Sequence, residues 1–497
     1  MEYKLEASEI SCLIPVVSQT RQQEQTQEVK LSDGMPDIGR ILGCWGQPMI
    51  RGKDWRSDSI GVNGGVMAWV LYAPEDGTAP RSLSCWIPFQ TRYDISNTQA
   101  DGVITASVQL VFMDARISSA RRIMVRCALQ LDTNALVPSK QSVFTGDNIP
   151  KHIQLLQETY PLQVSVEAGE REVTVEESIL LPANAPNPET ILRYYLQPRI
   201  TETKLMGSRL IFRGLCSFRM VYMTQDGDFR SWDTEMPIAQ FADLRGEYGD
   251  SALCRCVPVV TGTELDRGED GKFRLKAAVT VQYEIIDRIL LRTVEDAYCP
   301  GFAVDLQTEA LKIPTLLDMQ TDTVGTEQTI RADAREILDS CTYFSAHNMP
   351  PTDSGICFQL QADTQVLYRD ENNQLQYGSV RTGMLWQLPS QTDNTALLQL
   401  LPGMSSATGG DDIHIHCDAS LHCAVYGITT VEMIRSLSLS EKPNAQQQPA
   451  VILKRANGKR LWDIAKESGS TVDAICKANK LEQEPLDDRM LLIPVLS

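Results

Sequence analysis

The 497-residue sequence predicts a mainly β protein: three repeated β-rich, sandwich-like domains and a small strand–helix–helix–strand (βααβ) unit at the end. Three observations predict it. Apolar residues alternate with period two through most of the chain, as in half-buried strands. The sequence matches itself at an offset of 150 residues and, more faintly, at 296. The last 47 residues instead carry two short helical faces between two strand-like runs.

The repeat sets the order of elements. At the 150-residue offset Pro36, Ile41 and Leu42 fall on Pro186, Ile191 and Leu192, and Ile50, Gly64 and Tyr72 fall on Ile200, Gly214 and Tyr222. Asp76-Gly77 falls on Asp226-Gly227, and Arg126–Leu129 falls on Lys276–Val279. At the 296-residue offset Ile337-Leu338 follows Ile41-Leu42, and Val366–Tyr368 follows Val70–Tyr72. Units this long exceed a solenoid repeat and predict globular domains with their own cores. Within each, a short helical turn is expected at the Ile-Leu pair. A strand such as Arg209–Tyr222 then meets an Asp-Gly turn and a returning strand through Phe229 and Trp232. The first copy does the same through Val66–Tyr72, Asp76-Gly77 and Leu83–Phe89, with a second strand pair in Val103–Met113 and Ile123–Leu131.

Expected boundaries are an N-terminal arm at 1–24, repeats at 25–165, 166–312 and 313–440, a linker at 441–450 and the last unit at 451–497. A further linker is expected at Pro138–Lys151, where Pro, Ser, Gly and Asn cluster.

Composition narrows the function. Hydrophobic residues are 42% and charged residues 22%, as in ordinary globular chains. Net charge is −18, from 46 basic and 64 acidic residues, which disfavours nucleic acid and anionic lipid. No run of about 18 apolar residues predicts a membrane span. Cys12–Val17 is too short and too proline-broken for a secretory signal, so a cytosolic chain is expected. The 13 cysteines have no framework spacing, and Cys44, Cys85, Cys127, Cys216 and Cys357 sit in strand-like runs as reduced core residues.

The final unit opens with a strand at Val451–Lys454. Leu461, Ile464 and Ala465 share one helical face that Gly469 stops; Ser470–Asp473 opens a second helix whose buried face holds Val472, Ile475 and Cys476. Arg489–Pro494 closes as a strand. The unit resembles a LysM domain through Gly458, Leu461, Trp462, Ile464, Ala465, Ile475, Ala478, Asn479, Leu491, Ile493 and Pro494. It departs in its first loop, where Gly458-Lys459-Arg460 replaces the family's usual Gly-Asp-Thr. That loop helps form the N-acetylglucosamine groove of sugar-binding members, so the change argues against glycan binding.

With that tail, Pro36-Asp37-Ile38 before Ile41-Leu42, followed by a Gly-rich strand, a Tyr and an Ile/Pro/Phe segment, is similar to the SPOCS (spore-coat) domain. SPOCS repeats before LysM resemble the SipL-like family of spore-coat morphogenetic proteins. The resemblance implies a non-enzymatic sporulation scaffold in the mother-cell cytoplasm, at the forespore surface and spore coat, binding a SpoIVA-type coat ATPase through LysM and meeting other coat proteins. The rival expectation is a cell-wall or cortex protein that binds peptidoglycan or N-acetylglucosamine oligomers.

Leu461, Trp462, Ile464, Ile475 and Ile493 are expected in the LysM core. Lys459, Arg460, Lys477, Asn479 and Lys480 are the expected partner contacts. Residues 451–497 hold 8 basic and 7 acidic side chains, a net +1 that leaves −19 on the remainder. Elsewhere no nucleophile meets a base, and neither catalytic residues nor a cofactor are expected. His414, His416, Cys417, His422 and Cys423 lack paired metal-ligand spacing and read as edge-strand histidines and core cysteines. Cys254-Arg255-Cys256 reads as core, Gly61–Gly65 as a bulge, and Glu176-Glu177, Asp411-Asp412 and Asp487-Asp488 as solvated turns.

Overall fold

The computed structural model describes residues 1–96, 102–179, 188–267, 273–350, 355–390, 393–441, 450–481 and 489–496. The protein is mainly β, in several separate sheets. After β1 (Glu2–Lys4) come β2 (Ala7–Lys30), β3 (Ile38–Trp55), β4 (Ser59–Pro74), β5 (Arg81–Asp94), β6 (Val103–Ser119) and β7 (Arg122–Phe144). The second set is β8 (Gln154–Ile179), β9 (Pro188–Thr224), β10 (Phe229–Tyr248), β11 (Leu253–Arg267) and β12 (Phe273–Tyr298). The third is β13 (Phe302–Ile330), β14 (Glu336–Asn348), β15 (Ile356–Arg369), β16 (Leu375–Leu388), β17 (Thr395–Pro402), β18 (Ser406–Thr408) and β19 (Ile413–Glu441). The chain ends with β20 (Val451–Arg455), α1 (Leu461–Ser468), α2 (Val472–Asn479) and β21 (Met490–Pro494).

Each set builds the same pair of antiparallel sheets. One is a meander: β3-β4-β5, then β9-β10, then β14-β15-β16. Strand β9 covers the positions of both β3 and β4, because the chain doubles back at Gly207 (φ 60°) and brings Thr201 beside Arg213. The other sheet is a long ladder with the last strand in the middle: β2-β7-β6, β8-β12-β11, and β13-β19 with β17 and β18. The meander turn recurs at one position, closed by backbone bonds from Gly77 to Pro74, Gly227 to Thr224 and Asn373 to Asp370. All three residues after the bend have positive φ (73°, 80° and 61°), which Gly adopts freely and Asn tolerates.

Several expectations are corrected. The Ile-Leu pairs form no helical turn. Leu42 and Leu338 are the extra residues of β-bulges in β3 and β14, and Leu42, Leu192 and Leu338 are all buried. The expected boundaries at 24/25, 165/166 and 312/313 fall inside β2, β8 and β13, which run on past them paired to β7, β12 and β19. Pro138 is likewise paired, to Leu13, so only 145–153 remains as a connection between the first two sets. Residues 442–449 of the expected linker lie outside the described residues.

The three sets close around one quasi-threefold arrangement, in which equivalent positions meet. Gly46 N donates to Tyr343 Oη (3.1 Å), Leu196 N donates to Gln47 Oε1 (2.7 Å), and the Gln197 amide donates to the Pro402 carbonyl, linking all three pairs of copies. Buried glutamines add to this. Gln282 takes both backbone groups of Ala106 (2.8 Å each), and Gln365 donates to the Met113 carbonyl (3.0 Å). Such internal bonds each contribute about 1 kcal/mol net, and more in specificity of docking. A shared core of Cys12 and Val143 with Leu162, Val164, Leu291, Leu311, Ile313, Val431 and Met433 joins the far ends of the three ladders.

The alternation in β19 exposes His414 and His416 and buries Cys417 and Cys423. This strand is central in its sheet, not an edge. Cys254 and Cys256 are half-buried rather than core, on one face of β11 with Sγ atoms 3.7 Å apart. Cys85 is also only half-buried. Glu176-Glu177 is in strand β8, with Glu176 beside Lys276 (3.7 Å), not in a turn. Asp411-Asp412 lies in an irregular segment, and Asp487-Asp488 lies outside the described residues. Within the Gly61–Gly65 run, which is continuous strand β4, a Cβ on Gly65 would stand 2.3 Å from the Trp86 ring. The glycine is a seat for an indole.

Candidate functional site

The C-terminal unit is built on a short antiparallel ladder, β20 to β21, pairing Ile452 with Ile493 and Lys454 with Leu491. The two helices cover one side of it. Thr471 Oγ1 accepts from Ala474 N (3.1 Å) at the start of α2, and Gly469 ends α1 at φ 64° in the left-handed region. Leu461, Trp462, Ile464, Ile475 and Ile493 are all buried in one cluster.

That cluster is not closed within the unit. Tyr298 at the end of β12 belongs to it, its ring edge-on to Trp462 with centroids 4.7 Å apart. Asp296 completes the contact: Trp462 Nε1 donates to Oδ2 (2.8 Å), and Lys466 Nζ donates to both carboxylate oxygens (2.8 and 2.7 Å). Trp462 is therefore both a core residue and the anchor that seats the unit on the second copy. Sequence reasoning missed Asp296, Tyr298 and Lys466. An acid and a tyrosine 166 and 164 positions upstream of Trp462 leave no local pattern.

The expected contact residues divide. Lys459, Arg460, Lys477 and Lys480 are exposed. Lys459 and Lys454 converge on Glu467 (2.6 and 2.5 Å), Arg460 reaches Asp463 (3.4 Å) and Lys477 reaches Asp473 (2.6 Å). The two lysines hold the Glu467 carboxyl down at about 2, through hydrogen bonds from Lys454 first and Lys459 second. These exposed pairs cost little to open, so the ammonium and guanidinium groups can be redirected to a partner. Asn479 is different. It is half-buried, donates to the Ile475 and Leu492 carbonyls (2.8 and 2.6 Å) and accepts from Leu492 N (2.8 Å), so its amide fastens β21 to α2. Lys480 follows at φ 52°, ending the helix.

Among the described residues no helix is long and apolar enough to cross a membrane, and no three His, Cys, Asp or Glu side chains converge as a metal site. No protein-family model matches the chain, and no curated protein matches it.

Proposed function

We propose that the chain is a non-enzymatic scaffold for spore-coat assembly. It tethers coat components at the forespore surface, on the mother-cell side, by binding a SpoIVA-type coat ATPase through a LysM-type C-terminal unit. The observation that carries this reading is the division of residues in that unit. Leu461, Trp462, Ile464, Ala465, Ile475, Leu491 and Ile493 of the LysM pattern are buried, while Lys459, Arg460, Lys477 and Lys480 stand exposed around them. Trp462 is occupied by Tyr298 and Asp296, which leaves its indole unavailable for stacking on a sugar ring and favours the protein-binding reading over the glycan one. Three SPOCS-like copies, each ending its meander in an edge strand (β5, β10 or β16), supply repeated faces for other coat proteins. Several modest contacts on one chain hold a layer through effective concentration.

The test is deletion in a sporulating host, followed by electron microscopy of the coat. The reading expects the coat to detach from the forespore, and a chain lacking 451–497 to be unable to restore it. A coat that stays attached in the deletion strain would sink the reading.

A further inference from the structure

Where the three copies meet they leave a cavity of about 330 Å³, walled by Leu13, Ile14, Leu136, Pro314, Leu397 and Ile428. It shares Ser18, Asn134, Thr395 and Leu397 with a more polar space of about 230 Å³. Asn134, Glu284 and Tyr426 hold the same position in copies one, two and three, each paired across its ladder with Thr105, Arg255 or Thr395. All three line the cavity.

Two of them satisfy each other. Glu284 Oε1 accepts from Ser165 Oγ (2.5 Å) and Tyr426 Oη (3.1 Å), while Oε2 accepts from Arg255 (2.9 and 3.2 Å). The third is left over. Asn134 is 7% exposed, lines both spaces, and its amide has no hydrogen-bond partner among the described residues. Its amide opens onto these two spaces, so a hydrogen-bonding group that enters them can pair with it.

We propose that this cavity is a binding site for a small, neutral, mainly apolar molecule that carries one hydrogen-bonding group for the Asn134 amide. Its size is that of the smaller ligand pockets, and its lining mixes apolar side chains with polar ones, of which Ser165, Glu284 and Tyr426 already bond one another. Neutrality follows from the charges around it. Glu284 is already compensated by Arg255, and the exposed Lys312 and Asp393 at the edge are of opposite sign, so a buried ligand charge would lack a counterion. Ile428, 68% exposed, adds apolar surface at the edge that no element of the described chain covers.

The probe is N-phenyl-1-naphthylamine, a neutral aromatic amine with one N–H, whose fluorescence rises on leaving water. The full chain should bind one dye saturably. Asn134→Leu, which keeps volume and removes the amide, should weaken binding about tenfold and leave the thermal midpoint unchanged or raised. Leu397→Trp should abolish binding by filling the space; if it does not fold, Ile428→Trp at the exposed edge does the same without entering the core. No saturable fluorescence with the full chain, or a signal that survives both Asn134→Leu and the tryptophan variant, would overturn the proposal.

Discussion

Gly43, Arg193 and Asp339 hold one position in the three copies, and the copies meet there. Arg193 is 3% exposed and Asp339 1%; Nε donates to Oδ2 at 2.8 Å, with Nη2 on the same oxygen. The guanidinium lies 5.3 Å from the Trp45 ring centroid, so one side chain touches all three copies. Burial works against the Arg193 charge, and Asp339 more than restores it. Arg219 cannot take over, being bound to Asp233 (2.7 and 2.8 Å) and 4.0 Å from Asp339. Asp339→Asn keeps the shape and strands the buried cation, which should cost about 3–5 kcal/mol. Asp339 Oδ1 has no hydrogen-bond partner among the described residues, so the pair is itself incompletely satisfied. Arg193→Met with Asp339→Leu should therefore recover most or all of the loss. Urea unfolding followed by tryptophan fluorescence, which includes Trp45 at the junction, gives both numbers. A cost below about 1 kcal/mol for Asp339→Asn, or a double variant worse than the single one, would refute the argument.

Three other outcomes follow from the same geometry. Asp296→Ala removes the acceptor of Trp462 Nε1 and Lys466, and should raise hydrogen exchange in α1 while the ladders stay protected; unchanged protection would mean that the seat is held by packing alone. Because the Glu467 carboxyl is depressed to about 2 from 4.5, its stabilisation is present above pH 4.5 and lost as pH falls toward 2. The difference between the native chain and Glu467→Gln, read by the opening of the C-terminal unit, should shrink over that window, and a constant difference would contradict it. Burial pushes the thiols of Cys127, Cys216, Cys417 and Cys423 up to about 12. A thiol reagent at pH 8 should react quickly with at most the half-buried Cys85, Cys254, Cys256 and Cys476, and with the nine buried thiols only after unfolding; a fast phase larger than four would contradict that.

The meander turns were legible because Asp-Gly stands at 76–77 and 226–227. The third turn was not, since Asn373 carries the positive φ there and the pair is gone. The start of each ladder was hidden by chemistry. Gln19–Lys30 of β2 shows no apolar alternation, because that half of the strand is held by backbone bonds to β7 and its inward positions, Gln23, Gln25 and Gln27, are polar and only half-buried, so it reads as a polar arm. The Ile-Leu pairs looked helical because a bulge places two successive apolar residues inward much as a turn of helix would. The junction was available in principle. Laying the copies over one another puts Gly, Arg and Asp at one position, but that complementarity means something only once the copies are known to face each other. In the C-terminal unit the buried residues are readable from helical spacing, whereas the bonds of Asn479 to Leu492 are not, because an amide that fastens a strand looks, in sequence, like any polar helix end.

The measurement that bears most directly on the proposed function is binding of the full chain to the purified SpoIVA-type ATPase, titrated beside N-acetylglucosamine oligomers. The account predicts saturable binding to the ATPase, weakened at least about tenfold when Lys459, Arg460, Lys477 and Lys480 are changed to Glu in pairs, and no response to the sugar. Saturable sugar binding without any response to the ATPase would contradict it.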